Sequence, residues 1–223
     1  MARYLLVPGA CHGGWWYQPV VDALREAGHE ADAVTLSGLD PDGPPAPAAN
    51  LDVHIGEVLA LLDAGGGQAV LVGHSYAGSV ITGVADQRPS AVAGLLYLDA
   101  FVPDDGDSCW SMTNDEQRDW YSRGSGATGL AVEPLPFFDH RARPHPLGTL
   151  MQRSQLTGAY KTIRRKHYVA AAGADWLPHS PFTGIADSLR ADPDWTVTDL
   201  DSGHNVLANG PDDLVTIILD LAW

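Results

Sequence analysis

Apolar residues along the chain fall into short runs separated by stretches of helical spacing. Tyr4-Leu5-Leu6-Val7 reads as a strand ended by Pro8-Gly9, and Trp15 to Ala27 as a helix closed by Gly28. His29 to Leu36 supplies a second strand, and Ser37 to Asn50, rich in Pro, Gly and Asp, a surface loop. Leu51 to Ala64 places Val53, Val58, Leu61 and Leu62 at helical spacing and stops at Gly65-Gly66-Gly67. Ala69-Val70-Leu71-Val72 has the length and β-branching of a buried strand, and helix-compatible sequence follows from Ser79 to about Arg88. Ala91 to Leu98 is the next apolar run, ending in Asp99. After an interruption, His167 to Ala172 resumes a strand. A helix around Thr183 to Leu189, a last strand from Trp195 to Leu200, the turn Asp201 to Asn205 and a helix from Pro211 to Leu221 complete the pattern.

Strands alternating with helices predict an α/β fold. The expectation is a mostly parallel sheet of about six strands, covered by helices on both faces, with ligands beyond the strands' carboxyl ends. The interruption, Pro103 to about Arg165, is polar and aromatic, with Trp110, Trp120, Tyr121, Phe137 and Phe138. An insertion there lands on the face where sites form and reads as a cap, since a disordered loop would be poor in aromatics. Residues 1–223 are thus expected to form one domain with a cap at about 103–165.

Candidate chemistry sits where the third strand meets its helix. Gly73-His74-Ser75-Tyr76-Ala77-Gly78 puts a serine on the turn itself, flanked by small residues, which is the context of a nucleophile elbow. The plainer alternative is a serine that caps the helix. A serine hydroxyl needs a base, and His204, on a glycine-containing turn after the last strand, matches the order nucleophile, acid, histidine. The acid that would hold the histidine is either Asp99, ending the fourth strand, or Asp175, in the loop after the fifth; topology leaves both open. Gly9-Ala10-Cys11-His12-Gly13-Gly14 follows the first strand and could turn backbone N–H groups into the site, with His12 bracing the loop. Gly-x-Gly-x-x-Gly spacing is not met there, which argues against a dinucleotide site. Trp110 or Tyr76 is expected to line an apolar substrate pocket.

Composition narrows the partners. Thirteen Lys and Arg against 28 Asp and Glu give a formal charge of −15, which repels nucleic acid and anionic lipid. Cys11 and Cys109 are too few for a disulfide framework, and no leader-like or membrane-spanning run appears, so a cytoplasmic protein is expected. Metal-ligand spacings are absent; His29, His54, His140, His145, His167 and His179 are scattered singly and read as surface or satisfied core residues. The expected partner is a small molecule, with no metal or cofactor; oligomeric state is not legible.

The segments Val7-Pro8-Gly9-Ala10-Cys11-His12-Gly13-Gly14-Trp15, Gly73 to Gly78, Leu98-Asp99-Ala100-Phe101-Val102-Pro103 and Gly203-His204 resemble small α/β hydrolases. The group includes plant methylesterases, hydroxynitrile lyases and bacterial esterase-like relatives, and the resemblance spans almost the whole chain. It implies an oxyanion hole from the backbone N–H groups of Ala10 and Tyr76. Bacterial members often carry an acid matching Asp99, which favours Asp99, whereas plant members carry it in the loop of Asp175. The chain departs from plant members in having Pro8 where they have His. It departs from the lyase branch in having Gly9 for a hydroxyl residue and Asn205 for a Lys. The expected activity is cofactor-independent hydrolysis of a small, largely apolar ester, thioester or lactone through a Ser75 acyl-enzyme with His204 as base. The alternative is a non-hydrolytic lyase or cyclase using the same triad as a general base, since fold does not fix reaction. An intact Ser, acid and His set argues against a third possibility, a binding protein that senses a small molecule in a dead pocket.

Overall fold

A computed structural model describes residues 1–173, 179–209, 211–221 and 223. Six strands form one parallel sheet: β1 (Arg3–Val7), β2 (Glu30–Ala33), β3 (Ala69–His74), β4 (Val92–Leu98), β7 (Lys166–Ala171) and β8 (Thr196–Leu200). Their order across the sheet is β2-β1-β3-β4-β7-β8. The chain runs outward from β1 to β2, then returns to β3 on the other side of β1 and continues outward. That reversal leaves a crevice at the carboxyl ends of β1 and β3, the place where open α/β sheets bind ligands.

The central strands β1, β3 and β4 are buried on both faces, which is why they read as continuous apolar runs, whereas the edge strands β2 and β8 are partly exposed. Leu5, Val7, Leu71, Leu95 and Tyr97 pack with Ile55 and Val58 of helix α2 (Leu51–Gly65) and Val80 and Ile81 of α3 (Ala77–Gln87). Tyr4, Leu6, Val70, Val72, Leu96 and Leu98 point the other way. They meet Val20 and Leu24 of α1 (Gln18–Glu26) and Leu214 and Ile218 of α9 (Pro211–Asp220). The period of two between these sets follows from the pleat.

Two local expectations are corrected. The stretch predicted as one helix from Trp15 opens as a 3-10 turn, Gly14–Tyr17, because Pro19 fits only the first turn of the α-helix that follows. In α2 the buried stripe is Leu51, His54, Ile55, Val58 and Leu62, whereas Val53 and Leu61 are exposed. A histidine stands on the buried face because its ring is hydrogen-bonded there. The interruption between β4 and β7 carries structure of its own. It holds α4 (Cys109–Met112), α5 (Asp115–Gly124), a two-stranded antiparallel pair of β5 (Ala131–Val132) and β6 (His145–Pro146), and α6 (Leu147–Met151). Its far end is tied to α3, where the Asp86 carboxylate accepts the N–H groups of Thr157 at 2.6 Å and Tyr160 at 3.1 Å. After β7 come α7 (Pro181–Arg190) and, beyond β8, the short α8 (Val206–Asn209). Among the described residues no helix is long and apolar enough to cross a membrane.

Candidate active site

Non-glycine residues with positive φ are uncommon, and among the described residues they are Cys11 (68°), Ser75 (54°) and Asp99 (42°). Each follows the carboxyl end of a strand, β1, β3 and β4 respectively, so the strain is gathered in the crevice that the topology creates. At Ser75 the chain leaves β3 and enters α3 within two residues. Its N–H donates to the Leu98 carbonyl at 3.2 Å, and its own carbonyl accepts from Gly78 and Phe101, both at 3.1 Å. The helix can start this close only because Gly78 lacks a side chain; a Cβ there would stand 2.0 Å from the Phe101 oxygen. Gly73 is required as well, since a Cβ there would stand 2.9 Å from the Ala77 oxygen, while Ala77 itself fits buried beside Gly78.

The turn presents the Ser75 hydroxyl to His204, whose Nε2 lies 3.0 Å from Oγ. Its Nδ1 lies 2.7 Å from Asp99 Oδ2. The structure therefore brings Ser75, His204 and Asp99 into one line of hydrogen bonds. Asp99 is held on two further sides: its other oxygen accepts the Ala171 N–H at 3.3 Å, and its N–H donates to the Val169 carbonyl at 2.8 Å. The Tyr168 hydroxyl pins the chain after it, accepting from the Ala100 N–H at 3.0 Å and donating to the Ala100 carbonyl at 3.1 Å. The alternative acid, Asp175, lies outside the described residues. A hydroxyl, an imidazole and a buried carboxylate in this order can pass a proton from serine to histidine while the carboxylate fixes the tautomer.

The loop after β1 faces this line across the crevice. The Cys11 N–H donates to His145 Nδ1 at 3.2 Å, and the Cys11 carbonyl accepts from the Arg143 N–H at 2.9 Å. His145 Nδ1 accepts, so the ring proton is on Nε2, which donates to Thr149 Oγ1 at 2.8 Å. Burial, with His54 and His12 nearby, keeps His145 well below its ordinary pKa and hence neutral. His54 plays a parallel part under the elbow, accepting from the Tyr76 hydroxyl at 2.9 Å and donating to the Ser37 carbonyl at 3.1 Å. Both histidines were among those read as scattered. They are satisfied buried residues that brace the two stretches flanking Ser75, a role their sequence spacing does not signal. The two thiols are buried; burial pushes Cys109 up to about 12, so it is no nucleophile at neutral pH.

Ala10, His12, Ser75, Tyr76, His204 and Asn205 line a narrow cavity of about 40 Å³. The segment between β4 and β7 closes it with Gln117, Trp120, Tyr121 and Phe138. His12 sits as expected, its Nδ1 donating to the Ala10 carbonyl at 2.8 Å and its ring 4.9 Å from Phe138. Burial lowers its pKa below the ordinary value despite that hydrogen bond. Tyr76 lines the cavity as expected, but Trp110 does not: it packs beside Tyr121, at 6.3 Å between ring centroids, and against the core. The tryptophan on the wall is Trp120, ten residues on in α5. Aromatic content marks this segment, but the placement of α4 and α5 against the core decides which ring faces inward.

Comparison with known proteins agrees with this fold. A family model described as the alpha/beta hydrolase family matches residues 4–217. A carbendazim hydrolyzing esterase of Nocardioides sp. (strain SG-4G) is 33% identical, over 96% of this chain and 97% of that one. Methylesterase 7 of Arabidopsis thaliana is 34% identical over a shorter stretch, 46% of this chain and 41% of its own. Among solved structures, an extracellular alpha/beta-hydrolase from a Paenibacillus species superposes with a TM-score of 0.81 at 19% identity, covering 99% of this chain and 97% of that one.

Proposed function

The chain belongs to the alpha/beta hydrolase family, and from that membership we propose that it is a cofactor-independent serine esterase for small, largely apolar esters, acting through a Ser75 acyl-enzyme. The observation that carries the reading is the hydrogen-bonded line from Ser75 Oγ through His204 to Asp99, at 3.0 and 2.7 Å, on a serine held at φ 54°. His204 Nε2 takes the hydroxyl proton as Oγ attacks the ester carbonyl. The carbonyl carbon becomes tetrahedral and its oxygen gains a negative charge. The Tyr76 N–H, at the start of α3 where helical N–H groups lack intrahelical acceptors, and the Ala10 N–H, on the opposite rim, are the donors for that oxyanion. Asp99 stabilises the imidazolium, which then protonates the departing alcohol. Water, deprotonated by the same His204, cleaves the acyl-enzyme and restores Ser75.

Two further features support the reading. The two relatives described above are named as esterases, one aligned over nearly its whole length. The cavity wall is aromatic on the side of residues 103–165, which act as the cap in this reading, and such walls favour apolar acyl or alcohol groups. Asn205 and Gly9 stand where the lyase branch carries Lys and a hydroxyl residue, so the hydrolytic reading is preferred over the lyase one. The test is a rapid-mix experiment with a nitrophenyl ester. A burst of nitrophenol, near one equivalent per chain and absent from Ser75→Ala, is expected. Steady release with no burst and an active Ser75→Ala variant would overturn the proposal.

A further inference from the structure

His74 precedes the nucleophile in sequence, yet its side chain turns away from Ser75 and reaches the opposite end of the site. Its Nε2 lies 2.8 Å from the backbone carbonyl oxygen of His204, which also accepts the Val206 N–H at 2.9 Å. A carbonyl only accepts, so Nε2 carries the ring proton. Burial, with His204 and His12 close by, holds His74 well below its ordinary pKa, so the ring is neutral. Its Nδ1 is then bare, buried and without a hydrogen-bond partner among the described residues. Room for that atom comes from Gly9, where a Cβ would stand 2.7 Å from it.

The ring is also one member of a stack. Trp16 lies on His74 at 4.6 Å with 27° between planes, and His74 lies on the His204 ring at 4.7 Å and 35°. Phe182 stacks on the same His204 ring at 4.8 Å and 5°. The base is thereby fixed by two separate contacts from one neighbour, a hydrogen bond to its main chain and a face against its side chain.

We propose that His74 is a positioning residue for His204, its Nε2–H anchoring the His204 carbonyl so that the imidazole stays in line between Ser75 and Asp99. This rests on the reading of Ser75 and His204 as the acylating pair. The chemistry demands such an anchor. His204 sits on a loop after an edge strand, and a base displaced by about 1 Å loses on the order of 10²-fold in rate. It also demands that the anchor be neutral. His204 becomes a cation during attack, facing Asp99 and Ser75 on its nitrogens and His74 on its ring; His12 is the other titratable group near His74. A second cation at His74 would oppose the first.

The test uses three variants and the nitrophenyl ester burst. His74→Phe keeps a ring beside Trp16 and removes the donor. His74→Gln places an amide N–H about where Nε2 stands, and His74→Asn places one about where Nδ1 stands. For His74→Phe and His74→Asn the acylation rate constant is expected to fall roughly 10- to 100-fold with KM within about two-fold. His74→Gln is expected to recover to within about five-fold of the parent. A His74→Phe chain that acylates like the parent would overturn the proposal. So would a His74→Gln chain that is folded but as slow as His74→Asn, or that fails to fold, because the donor would then not be what matters. Should His74→Phe or His74→Asn fail to fold, His74→Gln alone decides. A parent chain with no burst would count against the esterase reading itself, and is told apart from these outcomes because it appears before any substitution at His74.

Discussion

Asp99 combines three properties that a solvated turn residue would not need: a left-handed backbone at φ 42°, near-complete burial, and a carboxylate 2.7 Å from the imidazole of His204. A left-handed non-glycine residue costs on the order of 1–2 kcal/mol, and such strain is kept where the surroundings over-determine it. Replacing Asp99 by Asn keeps the shape and removes the charge, leaving His204 free to take the wrong tautomer. The expected loss in kcat is about 10⁴-fold, against little change for Asp175→Asn, measured on the same ester. A large loss confined to the Asp175 variant would return the acid to the loop after β7, and equal, small effects in both would mean that a third carboxylate holds His204. The sequence singles out Ser75 and His204, because small residues stand at fixed offsets around the serine and the histidine follows the last strand, and the structure sets the two side chains 3.0 Å apart. The acid was not legible in the same way. Two carboxylates end neighbouring strands, and choosing between them needs either a family resemblance or a distance.

At the scale of elements, the presence of about six strands alternating with helices is legible in the hydrophobic runs and their spacing, because central strands buried on both faces are written as apolar runs; the order of the strands across the sheet is not. What the pattern could not supply is which face of a helix turns inward. In α2 the helical spacing points to Val53 and Leu61 as stripe residues, yet both are exposed, while polar His54 is buried through its bonds to Tyr76 and Ser37. A similar limit applies in the segment after β4, where Trp120 of α5 rather than Trp110 of α4 reaches the cavity. Trp120→Ala should widen that cavity and shift the preferred ester toward longer acyl chains. Trp110→Ala should leave the preference alone and lower the melting temperature by several degrees, as loss of a packing anchor does. Both are read from rates across a nitrophenyl ester series and from calorimetry, and a changed preference in the Trp110 variant alone would reverse the assignment. The loop after β1 depends on β6 in a similar way. His145→Leu would strand the buried Cys11 N–H, at a cost of about 1–3 kcal/mol, or roughly 2–10 °C in melting temperature for a chain this size. An unchanged melting temperature in that variant would mean the loop does not need the bond.

Across the whole molecule, the segment between β4 and β7 is fastened at both ends, to the sheet by Asp99 and Tyr168 where it leaves and to α3 by Asp86 where it returns. Burial would raise the Asp86 carboxyl, but hydrogen bonds from the N–H groups of Thr157 and Tyr160 and from the Thr157 hydroxyl outweigh it and hold it below its ordinary value. A folded pKa below the unfolded one means stability that is fully present above the ordinary carboxylate range and lost as pH falls through the folded value. Asp86→Asn should therefore be less stable than the parent by about 1–2 kcal/mol at pH 7, with the gap closing below about pH 4 in urea titrations. A gap that is constant with pH would show that the charge is not what the anchor uses. The formal charge of −15 bears on solubility and not on the site, whose described walls are mostly aromatic and histidine side chains. The central claim, that Ser75 carries the acyl group, is tested most directly by the mass of the chain itself. Mixed with an activated ester and acid-quenched within the burst, the parent should gain the mass of one acyl group, located by fragmentation on Ser75, and Ser75→Ala should gain none. An acyl group found on another residue, or retained in Ser75→Ala, would contradict the account.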